Sequence, residues 1–181
     1  MLSKSIIKLL DEALIPAVVL IIAKMLGIFS AAYFFGINFT VKNADILWIL
    51  PSVQFSSLQD MQKADNLSNI AMFAAIAMGT FLVLIRAHFF HQTHIKPSLH
   101  ARLVSLNLES IIAPSYHLYH QAVIWLIFLW LTMGFLLIST IVLKITYPFV
   151  TITAFVITAN FSWIFALDIE KEMELTSESR R

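Results

Sequence analysis

Ala122–Leu143 reads AVIWLIFLWLTMGFLLISTIVL, twenty-two residues without a charge. A run of roughly 20 apolar residues is long enough to cross the ~30 Å hydrocarbon core as a helix. Lipid offers backbone polar groups no partner, so only a structure that bonds them internally can span it. Trp125 and Trp130 lie toward the start of this run, and Lys144 closes it. Only Thr146 to Pro148 separates it from a second apolar run, Tyr147 to Leu167, which Asp168 ends. So short a connection makes these two spans antiparallel neighbours.

Upstream, Leu67 to Ile85 is again uncharged, and Arg86 closes it. Ala13 to Ile37 is a fourth apolar run, interrupted only by Lys24. That interruption argues against a cleaved signal peptide, whose apolar core does not normally hold a lysine. The fold class that follows is all-α: a four-helix transmembrane bundle with spans at about 13–37, 67–85, 122–143 and 147–167. Short interfacial helices accompany it. Residues 1–12, with Lys4 and Lys8 among Leu2, Ile6, Ile7, Leu9 and Leu10, form one of them. Ile46–Leu50 before Pro51 is too short to span and forms an interfacial or re-entrant piece. Gln54 to Asn66 is polar and solvated. A surface helix is expected over about 98–112, and residues 169–181 form a polar charged tail, frayed or disordered.

Composition agrees. Of the 181 residues, 59% are hydrophobic and 13% charged, where a soluble domain carries about a quarter charged. A single core of this size cannot bury so much apolar surface, so the lipid bilayer is the expected partner. The net charge of +1 gives no reason to expect a nucleic acid. There are no cysteines, which removes disulfides, thiolate metal sites and thiol nucleophiles.

Four spans place both termini on one side. That side carries Lys4, Lys8, Arg86, Lys96, Arg102, Lys171, Arg180 and Arg181, against Lys42, Lys63 and Lys144 on the other. The positive-inside rule then puts the termini and the loop 86–120 in the cytoplasm of a cell (plasma or inner) membrane. Ala23, Gly27 and Ala31 recur at four-residue spacing, as do Ala71, Ala75 and Gly79. Such strips let helix backbones approach closely in lipid.

Two polar anomalies remain. Lys24 lies mid-span, where a charge costs roughly 2.5–3.5 kcal/mol on insertion scales. No Asp or Glu falls deep in any run as bounded above, so this reading gives Lys24 no acidic partner within the chain. Asn160, at comparable depth in the fourth span, could accept from it, as could threonine hydroxyls there; the readings are snorkelling or a neutral amine beside Asn160, an acidic partner subunit, and a substrate or proton route. The second anomaly is the loop 86–120, which holds all six histidines. His88 and His91, at the end of one span, and His117 and His120, just before the next, share a membrane level. Two such i, i+3 pairs could form a four-histidine site for a transition metal, or ligate haem. The competing reading makes them amphipathic headgroup residues beside Phe89, Phe90, Tyr116 and Tyr119. Bridging carboxylates in a Glu-x-x-His pattern are missing. No phosphate-binding glycine loop or nucleophile elbow occurs either.

Three functions follow. The first is a non-enzymatic accessory or scaffolding subunit that contacts other membrane subunits or its own copies. The second is a histidine-ligated metal or haem protein, with oxidoreductase as its enzymatic form. The third is a small oligomeric transporter or channel using Lys24 and the Thr/Asn face of the fourth span.

Overall fold

The computed structural model describes residues 4–42, 52–90, 95, 97–108, 112 and 115–178. Helix α1 spans Lys4–Phe35, and strands β1 (Phe39–Lys42) and β2 (Ser52–Phe55) follow. Helix α2 spans Leu58–Phe89, α3 Pro97–Ser105, α4 Ser115–Ile141 and α5 Pro148–Glu178. Four of these helices are long and apolar enough to cross a membrane: α1, α2, α4 and α5. At 1.5 Å per residue, the 25-residue apolar stretch of α1 is about 37 Å long, enough to span with tilt. These are the features of a multi-pass membrane protein.

The helices outrun the hydropathy. Helix α1 is continuous from Lys4, with no break before Ala13, and carries Pro16 inside it. Helix α2 starts at Leu58 rather than Leu67, because Ser57 caps it: its Oγ accepts from the Asp60 N–H at 3.1 Å. Residues 58–66, expected to be a solvated segment, are therefore helical. Helix α5 runs on to Glu178, so most of the expected tail is ordered helix. Helix α3 is shorter than expected. Asn107 adopts φ 55° and the Leu108 N–H returns to the Leu103 carbonyl at 2.9 Å, which closes the helix. Gly36 ends α1 in the same way, with φ 61° and a 2.9 Å bond from Ile37 N to Ala32 O.

A two-stranded hairpin was not expected of an all-α chain. β1 and β2 pair antiparallel, Phe39 opposite Phe55 and Val41 opposite Val53. Residues 43–51, including the expected short apolar piece at Ile46–Leu50, lie outside the described residues.

Helix α1 packs on α2, α2 on α4, and α4 on α5, with further contact of α2 with α5 and α1 with α4. Helix α4 is the centre: half of its apolar stretch is buried, against 17% for α1 and for α5. Ile76, Leu129 and Leu136 are wholly buried where α2 meets α4. The small-residue strips set the spacing. A Cβ on Gly27 would lie 2.5 Å from the Ser68 backbone, so α1 and α2 touch almost main chain to main chain. A Cβ on Gly79 would overlap the Trp125 ring, so α2 leaves a seat for that indole from α4. The two ends of the α2 strip thus serve different neighbours.

Hydrogen bonds lock the end of the bundle that carries the hairpin. Thr146, in the α4–α5 turn, donates to Asn66 Oδ1 at 2.7 Å and shares a 2.9 Å bond with Ser139. On the α4–α5 face, Trp130 Nε1 donates to Ser162 Oγ at 3.1 Å.

Candidate functional site

The polar groups of the spans gather at two levels. Mid-bundle, toward the hairpin end, Lys24 reaches from α1 to α2. Its Nζ lies 2.6 Å from Asp65 Oδ1 and 2.9 Å from Asn69 Oδ1. Asn69 in turn donates to Asp65 Oδ2 at 3.1 Å, closing a three-residue network. The expectation of no acidic partner is overturned: the partner is Asp65, on the added turns of α2. The expectation that Asn160 accepts from Lys24 fails as well. Asn160 is exposed and its Nδ2 donates to the Val156 carbonyl of its own helix at 2.7 Å. Relative depth as well as rotation depends on packing: Phe161 stacks on Phe81, several turns along α2 from the Asp65 and Asn69 that meet Lys24.

The histidine end holds two imidazole–carboxylate pairs. His117 and His120, three apart on α4, lie on one side and face α1. There Glu12 points inward, only 11% exposed, with Oε1 3.0 Å from His117 Nδ1 and Oε2 3.5 Å from His120 Nε2. The His117 contact has ion-pair distance without hydrogen-bond alignment. Across the bundle, His88 on α2 places Nδ1 2.8 Å from Asp168 Oδ1 on α5. Between the pairs, Ala87 and Leu118 are buried against Tyr119, whose ring meets Phe165 edge-on at 6.0 Å.

Of the four histidines proposed as ligands, His91 lies outside the described residues. The other three are divided between two carboxylates on different helices, His88 with Asp168 and His117 and His120 with Glu12. Among the described residues, no group of three or more His, Asp or Glu side chains is arranged to hold a metal ion.

Glu12 and Asp65 are the residues that sequence reasoning missed. Each sits on a helical extension outside its apolar run. Ser57 and Asp60, spaced as a helix cap, were the available signal for Asp65. Glu12 had no comparable signal beyond Pro16, which a helix tolerates best in its first turn and which therefore favoured a boundary near residue 13.

No protein family matches this chain, and neither does any curated protein or solved structure.

Proposed function

We propose that the chain is a non-enzymatic accessory or scaffolding subunit of a cell membrane, plasma or inner, with both termini and the histidine end in the cytoplasm. The supporting observation is the Lys24–Asp65–Asn69 network. It answers the mid-span charge inside the chain, so Lys24 is committed to joining α1 to α2 rather than to handling a substrate. Other span hydroxyls are similarly engaged. Thr80, Thr132 and Thr158 each donate to a carbonyl of their own helix. The outer flanks of α1 and α5 present large apolar side chains, among them Leu14, Val18, Ile22 and Leu26 on α1. In a membrane such flanks meet lipid or the helices of another subunit, where association rests on packing rather than on burial from water.

The test is mild detergent extraction of native membranes followed by native electrophoresis and crosslinking. The chain is expected in a complex larger than its own monomer, with crosslinks from the α1 flank to another subunit. A lone monomer under every mild condition would reject the reading. A reporter fused after Arg181 is expected to be active only in the cytoplasm, and activity only outside would reject the orientation.

A further inference from the structure

Between α2 and α5, the histidine end has a crevice of about 370 Å³, within the usual range for small-molecule sites. Its walls are apolar and rich in phenylalanine, with Phe81, Phe89, Phe161 and Ile164 among them. Phe81 and Phe161 stack at 6.1 Å and 21°. Among the described residues, its polar lining comes from His88 and Asp168. Phe81, Phe89, Ile164 and Leu167 are also substantially exposed, so the crevice opens on the apolar flank of the bundle. A ligand would enter sideways from lipid.

The two polar residues are arranged to receive a donor. A carboxylate only accepts, so the 2.8 Å contact has His88 Nδ1–H donating to Asp168. In the neutral ring this fixes the tautomer and leaves Nε2 as an acceptor. The His88 side chain is 46% exposed, so this acceptor has no need of a protein partner to remain solvated or bound. Asp168 is 12% exposed, and its second oxygen is buried without a hydrogen-bond partner among the described residues. The site therefore combines an aromatic, laterally open slot with accepting groups at one end. A ligand carrying an O–H suits this end, because the polar atoms it presents, His88 Nε2 and the second Asp168 oxygen, are acceptors.

We propose that the α2/α5 crevice binds a lipid-soluble quinol: a planar aromatic ring lying among Phe81, Phe89 and Phe161, its hydroxyl donating to His88, and its apolar tail leaving toward lipid. This goes beyond the accessory reading and needs only that the chain be in a membrane. It involves binding alone, with no electron transfer assigned to the chain.

The experiment uses purified full-length chain in phosphatidylcholine nanodiscs and radiolabelled decyl benzoquinol kept reduced. The control ligand is its dimethyl ether, with the same ring and tail but no O–H. Saturable binding of the quinol is expected, about tenfold tighter than the ether, as one hydrogen bond of ~1.4 kcal/mol would give. In I164W, whose indole fills the slot, binding is expected to be lost. In H88F the apolar binding is expected to persist while the preference for quinol over ether disappears. Equal affinity for quinol and ether in the wild type would overturn the proposal. So would unchanged binding in I164W, or displacement of the quinol by phosphatidylethanolamine, which would assign the slot to an amine-headed lipid. If neither variant folds, the wild-type comparison of quinol with ether decides alone. A monomer on native gels would leave this result untouched, so the two proposals fail separately.

Discussion

The two faces of α2 are built on opposite principles. Toward α1 it is closed, with Gly27 against the Ser68 backbone and Lys24 held by Asp65 and Asn69. Toward α5 it is open near the histidine end, with a crevice between phenylalanine walls and one His88–Asp168 contact. Small residues make the first seam. Large aromatic ones, Phe81 and Phe161, stack across the second. In lipid there is little hydrophobic force between helices, so closeness must come from shape and from polar bonds. The α1/α2 seam has both. The crevice has neither along most of its length, and it is the place where a small molecule can be accommodated.

This contrast can be broken experimentally. The largest effect is expected from D65L, which leaves the Lys24 ammonium mid-span without its carboxylate. Thermal unfolding in nanodiscs should show a loss of about 3 kcal/mol, the scale of an uncompensated charge in a membrane helix. Next comes G27A. Its methyl must push the Ser68 backbone away, and overpacking of this kind costs about 2 kcal/mol in the same assay. T146V removes the hydroxyl that ties the α4–α5 turn to Asn66 and Ser139 and should cost about 1 kcal/mol. I164A, on the open side, should change stability by no more than about 0.5 kcal/mol, as at other exposed positions. A large loss in I164A together with a small one in G27A would reverse the assignment of closed and open faces.

The sequence made the membrane-crossing part legible because lipid imposes a single strong rule, an unbroken apolar run of sufficient length. That rule located four spans, and within them the small-residue strips that the helices use. It says nothing of where a helix begins in water or at the headgroups. Helix α2 begins nine residues before its apolar run, at Leu58 rather than Leu67, and α1 before its own, at Lys4. Asp65 and Glu12 lie on those extensions, so two of the three carboxylates that define the polar sites were placed in loops or surface helices, Asp168 being the third. Asn160 shows the other limit. Phe161, the next residue, stacks on Phe81 of α2, whereas Lys24 meets Asp65 and Asn69 several helical turns nearer the hairpin, so Asn160 matches Lys24 neither in depth nor in direction. His117 and His120, three apart, share a face of α4. The group they face, Glu12, is distant in sequence and could be found only from the packing of α1 on α4. The hairpin strands are four residues each and too short to carry a clear alternation.

The closed α1/α2 seam depends most on Lys24 being neutralised within its own chain. The direct measurement is a double-mutant cycle in nanodiscs: wild type, K24M, D65L and the variant carrying both. If the pair is as described, D65L alone is strongly destabilised and adding K24M restores most of the loss, with a coupling of at least about 1 kcal/mol. Strictly additive effects, with the double variant no more stable than D65L, would show that Lys24 finds its partner elsewhere.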